Sequence, residues 1–450
     1  MSTTTAGDGH SPALQRTIGP VQLTLYALGS MLGAGIYGLI GKAAGQMGNA
    51  VWLSFLVAVV AALLTALSYA SLGSRHPRAG GAAYVTQRAY GIPILSFMVG
   101  LALVCSGLTS VATQSRVFAE NLSKLTGIES LPIWLIALGF VMLLAGLVFR
   151  GIRESMWVNV VCTLIEAAGL LLVVAVGMSF WGSVNYFETP RETSDSSLVL
   201  LVIQGAVLTF FAFIGFEDTI NVAEEVKNPQ TTLPLALVSA TVIAAVLYVA
   251  IAVTAVSVVP AHELADAPSP LSKVMEGAAP NFPPIILVLI TMFAVANTAL
   301  VNYITASRLM YGMAKQGLLP ERLGEVHATR QTPHIATMVL FAVVAPLALF
   351  GGISELASAT VLLLLVVFAI VNGALIILKQ RPGELKGAFE VPLFVPIGGA
   401  AICAVLIVSR LASEDWHAPA IAGALLAAIA VIYFVLRPKA IDTTEDEASV

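Results

Sequence analysis

Charge is scarce in this chain. Asp, Glu, Lys and Arg make up 11% of its 450 residues and 58% are hydrophobic; a soluble domain carries about 25% charge to wet its surface, so a water-soluble fold is excluded. Cysteine is nearly absent: Cys105, Cys162 and Cys403 fall far apart in different apolar runs. That leaves neither a disulfide framework nor metal-ligand spacing. The histidines, His10, His76, His262, His327, His334 and His417, all read as loop or tail residues, which excludes a histidine proton relay and a helix-borne pair of metal ligands. No metal and no cofactor are expected. Alternation of apolar and polar residues is missing too. Runs such as Leu201 to Phe216 are largely apolar on consecutive positions, which excludes an outer-membrane barrel. Residues 1–15 lack the basic start, short apolar stretch and cleavage site of a removable signal, so the first apolar run is expected to stay in the protein. The net charge of −4 says little about partners, and no nucleic-acid partner is expected.

What is present is a succession of apolar stretches of about 20 residues, the length a helix rising about 1.5 Å per residue needs to cross hydrocarbon. Lipid supplies no hydrogen bonds, so such stretches must be helices. Twelve are expected, at 18–43, 50–74, 91–120, 132–149, 155–181, 198–225, 233–259, 284–316, 335–351, 353–379, 392–412 and 418–436. With the N-terminus in the cytoplasm, the inner loops hold fifteen basic residues, among them Arg75, Arg78, Arg150, Arg153, Lys379 and Arg381. The outer side holds five: Lys42, Lys124, Arg191, Lys273 and Arg410. This bias predicts that both termini are cytoplasmic and that the number of spans is even. The acidic tail after Asp442 has no assigned role.

Two spans carry signs of interruption. Gly29-Ser30-Met31-Leu32-Gly33-Ala34-Gly35-Ile36 puts three glycines near the middle of the first span, and Phe210 to Asp218 puts Gly215 and two adjacent acids inside the sixth. Glycines also serve close helix packing. Two breaks at matching places in spans of opposite direction point instead to an inverted-repeat transporter with its site at the repeat interface.

At these residues the chain resembles the amino acid, polyamine and organocation transporter superfamily, in its branch of bacterial amino acid permeases. The resemblance is carried by Gly33-Ala34-Gly35-Ile36-Tyr37, by Phe211-Ala212-Phe213-Ile214-Gly215-Phe216-Glu217, by Ala223-Glu224-Glu225-Val226-Lys227-Asn228-Pro229, and by Ser307-Arg308 with Tyr311 and Ala314 to Pro320. It implies an all-α membrane fold of the leucine-transporter type, with five helices, five inverted helices and two more. The divisions would be a cytoplasmic tail 1–17, repeats 18–181 and 198–379, added helices 392–436 and a tail 437–450. It further implies that a substrate carboxylate rests on amides of Gly33, Ala34, Gly35 and Ile36, at the positive end of a helix. An ammonium group would rest on carbonyls of Ser30, Met31 and Phe211, Ala212, Phe213 and Ile214, with Phe211 as an aromatic gate. Many relatives have a serine or threonine where this chain has Ala34. The loss of one donor to a charged acceptor, on the order of 1.5–3 kcal/mol, makes a solute without a carboxylate more credible.

Ionised groups inside a membrane need a partner, water or a proton. Arg116 and Glu120 lie four apart and are expected to pair along one helix face; Arg308 is expected to snorkel toward the cytoplasm. Glu166 has no basic residue near it on its own helix. By the resemblance it stands where relatives place a lysine against the broken first helix. Its neutral form is favoured by burial and can donate a hydrogen bond, so it is the candidate for coupling transport to protons; the structural alternative is a brace, held protonated or paired with Arg308. Asp218 is a candidate for neutralising a cationic solute, and Glu217 stays unassigned. Sodium coupling would draw on Thr305 and Ser307. An intramembrane aspartyl protease would need a second aspartate beside Asp218, and a channel would need a filter loop; neither feature is present. The sequence therefore predicts a secondary active transporter of the inner (plasma) membrane for a small amine-bearing solute, amino acid or related amine, with polyamine transport or exchange without an ion as alternatives. Its partners would be the lipid bilayer and a proton, or sodium.

Overall fold

A computed structural model describes residues 14–127, 131–189, 198–349, 353–411 and 416–439. Helices run in chain order as α1 Pro20–Leu32, α2 Ala34–Met47, α3 Val51–Arg75, α4 Gly81–Tyr90, α5 Pro93–Thr126, α6 Ile133–Arg150, α7 Ile152–Gly177 and α8 Leu198–Phe210. After them come α9 Pro229–Val258, α10 Ala261–Asp266, α11 Pro270–Ala278, α12 Pro284–Lys315, α13 His334–Leu349, α14 Ile353–Gln380, α15 Phe394–Leu411 and α16 His417–Leu436. Ten helices among the described residues are long and apolar enough to cross a membrane. The chain is an all-α, multi-pass membrane protein.

Several elements differ from the sequence reading in detail. The run 18–43 is two helices of 13 and 14 residues on either side of Gly33, and the run 335–351 is the 16-residue α13. Between the third and fifth helices lies α4, which buries nearly every residue and which its near-neutral composition did not announce. His334 and His417, expected in loops, stand at the first positions of α13 and α16. Prolines start α1, α5, α9 and α12 in their first turn, where the missing N–H has no intrahelical partner to lose.

Aromatic rings lie at the centre of the bundle, and large apolar side chains also face outward. Tyr26, Tyr69, Tyr248, Phe55, Phe213, Phe216 and Phe368 are fully enclosed, while Leu143, Val246 and Val435 are more than half exposed, as expected where the solvent is lipid. α3 packs on α9, α5 on α12, and α1 on both α7 and α9. Small residues permit the closest approaches: a Cβ at Gly312 would stand 2.3 Å from the backbone of Ala79 and Gly80.

Two charged residues take other positions than expected. Arg308 does not snorkel; it is fully buried and pairs with Glu225 at 3.0 Å, both side chains at 0% exposure. A guanidinium that finds a bidentate carboxylate inside the protein has no need of the surface. Arg116 donates to the carbonyl of Ala348 at 3.4 Å rather than to Glu120.

The link between α14 and α15 is pinned by Glu390. Its carboxylate accepts Arg75 Nε and Nη2 at 2.7 Å each, Lys379 Nζ at 2.7 Å and the Gly387 amide at 3.0 Å. Burial alone would push this carboxyl up, but the bonds from Arg75 and Lys379 outweigh it and hold the group at about 2. A depressed value means that the stabilisation is complete above the ordinary value of 4.5 and is lost as pH falls toward 2. Glu390→Gln should therefore lower the unfolding temperature in detergent at neutral pH, with a gap to the parent that narrows below about pH 4.5. A gap that stays constant on acidification would contradict this.

Candidate functional site

Both interruptions are real breaks in the backbone. At Gly33, between α1 and α2, the helix is interrupted for one residue (φ −29°, ψ −172°). After α8 a short turn, Phe211–Phe213, leads to Gly215 at φ +128° and then to a 3₁₀ run, Phe216–Glu225. Ten residues of 3₁₀ helix is long for a form that rarely exceeds about four, and such stretches mark hinges. Gly215 is required twice: its φ suits only glycine, and a Cβ there would lie 2.7 Å from the Ser30 carbonyl carbon.

The backbone groups freed by the breaks find partners from side chains. Tyr248 on α9 places its hydroxyl 2.5 Å from the Met31 carbonyl and 3.0 Å from the Ala212 carbonyl, donating across both breaks at once. The Gly215 amide donates to Glu217 Oε2 at 2.8 Å. Ser30 donates to Asp218 Oδ2 at 2.6 Å, and Tyr26 and Thr305 hydroxyls meet at 2.8 Å beside it. Broken first helix, 3₁₀ run and α12 are thus tied at one level.

A cavity of about 390 Å³ opens between them. Of the residues singled out from sequence, Ser30, Met31, Gly33, Gly35, Phe211, Ala212, Ile214 and Asp218 line it. Ile36 and Phe213 are fully buried outside its lining; the Phe213 ring packs on Tyr248 with centroids 5.1 Å apart. Ala34 opens α2 beside Gly33. α5 adds Ser106, Gly107, Ser110, Thr113 and Gln114, and α12 adds Thr298, Asn302 and Thr305. The charged groups of the wall are Glu217, Asp218 and, toward the far end, the exposed Lys42.

Chemically the cavity has two poles. No side chain caps α2, so its first amides, which lack intrahelical acceptors, present a positive end to an anion. The opposite pole holds the carbonyls of Met31 and Ala212, each with a lone pair left after Tyr248, and the Asp218 carboxylate. Phe211 stands beside Gly35, with a ring carbon 3.7 Å from where a Cβ would sit.

Glu166 lies outside the cavity, fully buried behind the first break. Asn297 Nδ2 donates to its Oε2 at 3.5 Å and to Thr163 Oγ1 at 3.0 Å, Asn159 donates to Asn297 at 2.8 Å, and Thr163 donates to the Leu25 carbonyl at 3.2 Å. Its Oε1 has no hydrogen-bond partner among the described residues. Pairing with Arg308 is overturned, since that guanidinium is taken by Glu225. Sequence reasoning passed over Tyr248, Asn159 and Asn297. The available signal was a polar group deep in an aliphatic span, which has to find a partner inside the protein.

Known proteins similar in sequence to this chain are permeases and transporters. A family model described as "Amino acid permease" matches residues 18–438. The branched-chain amino acid permease BcaP of Bacillus subtilis is 30% identical over 419 residues, covering 88% of each chain. The methylthioribose transporter of the same organism is 30% identical over 423 residues, 89% of each. The vacuolar cationic amino acid transporter 4 of Arabidopsis thaliana is 29% identical over 390 residues, 82% of this chain and 64% of that protein.

Tyr248→Phe keeps the ring and removes the donor shared by two carbonyls. A loss of about 1–3 kcal/mol in stability is expected, measured by denaturation in detergent, together with reduced transport by protein that still reaches the membrane. Parent-level stability and transport would show that the two carbonyls do not depend on this hydroxyl.

Proposed function

We propose a transport cycle from one premise: the chain belongs to the amino acid permease family and is a transporter, not an enzyme. In this reading it is a secondary active transporter that carries an amino acid across the inner (plasma) membrane by alternating access. Repeats 18–181 and 198–379 move around the site, and both termini are cytoplasmic. The observation that carries it is the cavity flanked by both helix breaks, with uncapped amides at one pole and carbonyls plus Asp218 at the other. A zwitterion fits two such poles: carboxylate on the amides of Gly33 to Ile36, ammonium against Ser30, Met31, Asp218 and the 211–214 carbonyls, with Phe211 closing over it. The names of the relatives, an amino acid permease and a cationic amino acid transporter, support the same substrate class.

A second reading, an amine or polyamine without a carboxylate, is favoured by one observation: two acids, Glu217 and Asp218, share the cavity wall. One of them would be free to meet a second positive charge.

Glu166 is the proposed coupling group. A lone carboxyl enclosed by Asn159, Thr163 and Asn297, with one oxygen unpartnered, is costly when ionised and tolerable when protonated. Through Asn297 and Thr163 it communicates with the Leu25 carbonyl of the broken first helix, so two protonation states would bias two arrangements of that helix. Purified protein in proteoliposomes, given a pH gradient and no sodium, should accumulate a labelled amino acid. Glu166→Gln should bind and exchange solute yet lose the pH-driven accumulation. Accumulation by Glu166→Gln at the parent level would make residue 166 a brace, and a parent indifferent to pH would favour sodium coupling or plain exchange.

A further inference from the structure

We propose that the solute is an amino acid whose side chain ends in a neutral hydrogen-bonding group, a carboxamide or a hydroxyl, and that α5 and α12 select it through Ser106, Ser110, Gln114 and Asn302. The inference rests on the transporter reading above and goes beyond it by naming the substrate class. The two helix breaks account for the ammonium and carboxylate that every amino acid carries. The remaining wall meets the part that differs.

That wall follows from spacing along two helices. Ser106, Ser110 and Gln114 recur every fourth residue of α5 and line the cavity together, on one face that extends over about 12 Å at about 1.5 Å per residue. Gly107 leaves this face without a side chain where α12 comes closest. A Cβ there would stand 3.5 Å from the Asn302 carbonyl oxygen, 3.6 Å from the Ala306 Cβ and 3.7 Å from Asn302 Oδ1. Asn302 thus meets α5 at the level between Ser106 and Ser110. Leu103, Ala306 and Leu364 supply apolar lining for the methylene part of a side chain.

The hydrogen bonds of α5 separate the cavity face from the rest. Hydroxyls and amides in a helix can satisfy themselves on the carbonyl four residues back, and α5 does this elsewhere: Thr109 donates to Cys105 at 2.8 Å, Ser115 to Val111 at 2.6 Å and Asn121 to Val117 at 2.8 Å. Among the residues that line the cavity, Thr113 Oγ1 and Gln114 Oε1 are enclosed and have no partner among the described residues. The terminal amide of Gln114 turns about a broad torsion, so either of its ends can be presented to a solute. Asn302 Nδ2 donates to the Thr298 carbonyl at 2.9 Å, which leaves its side-chain oxygen as an acceptor. The wall therefore offers serine hydroxyls that donate or accept, a carboxamide and a further acceptor.

These groups discriminate in two directions. The charged residues of the cavity are Glu217, Asp218 and Lys42, none of them on α5 or α12. A charged side chain laid on this wall would exchange water for neutral dipoles without a counter-ion. An aliphatic side chain would expel the water that solvates the wall and return no hydrogen bond, and a site built to hydrogen-bond its solute rejects an analogue that cannot. A neutral amide or hydroxyl meets neither penalty.

The test compares side chains of similar shape. Purified parent protein in detergent is titrated calorimetrically with threonine against valine, asparagine against leucine and glutamine against methionine, with lysine, glutamate and putrescine as charged probes. In at least one pair the polar member should bind on the order of tenfold or more tighter than its partner, and tighter than any charged probe. Gln114→Met and Asn302→Leu keep the bulk and remove the hydrogen-bonding ends, and each should bring that ratio toward one. A loss of folded protein changes the number of sites and leaves the ratio alone, so either variant suffices if the other does not fold. Aliphatic members, lysine or glutamate binding as tightly as the polar members would overturn the substrate class. A polar preference that persists at the parent ratio in the folded variants would overturn selection by α5 and α12. Binding of putrescine with no binding of any amino acid would instead remove the amino acid reading on which this inference rests.

Discussion

A membrane offers an interrupted helix nothing to bond with, and most of what is distinctive here follows from meeting that constraint twice in one place. The Tyr248 hydroxyl touches the Met31 and Ala212 carbonyls, one from each break, and so fixes the two unwound segments relative to one another. Glu217 closes on the Gly215 amide from within the same break, and Ser30 reaches across to Asp218. All but the last of these bonds join a side chain to backbone that would otherwise be orphaned, and in a low-dielectric interior an unmade bond costs more than a made one contributes. The cavity between the breaks is the space these bonds leave.

The amides and carbonyls that are not consumed give that space its polarity. The start of α2 has no side-chain cap, so its free N–H groups remain available to an anion, while the other pole keeps spare acceptor capacity and a carboxylate. The same logic separates the roles of the buried acids. Glu225 is neutralised by a guanidinium, Asp218 is bonded by a hydroxyl on the cavity wall, and Glu166 is enclosed by amides and a threonine with one oxygen unsatisfied. Only the last has, among the described residues, neither a counter-charge nor the cavity beside it.

Much of this was readable in the sequence, for physical reasons. Hydrophobic runs of membrane length need no tertiary knowledge, and Gly33 and Gly215 stand out because they fall at matching places in spans of opposite direction. Helix α4 was not readable, since its burial comes from neighbours rather than from its own composition. Arg308 was misplaced because its partner, Glu225, is 83 residues away and only the fold brings them together; a snorkelling arginine and a paired one look alike in sequence. Tyr248, Asn159 and Asn297 were single polar residues in spans, visible but without a stated acceptor. Phe213 and Ile36 sit in the motif segments, yet their side chains turn into the core, because adjacent residues around a break cannot all face one cavity.

The most direct measurement is a structure of the protein with a bound amino acid. The solute is expected between residues 30–36 and 211–218, its carboxylate on the amides that open α2 and its ammonium toward Ser30 and Asp218, beneath the Phe211 ring. A solute bound elsewhere, such as in the pocket lined by Asn49, Glu188 and His262, with the space between the two breaks unoccupied, would contradict the assignment of the breaks as the transport site.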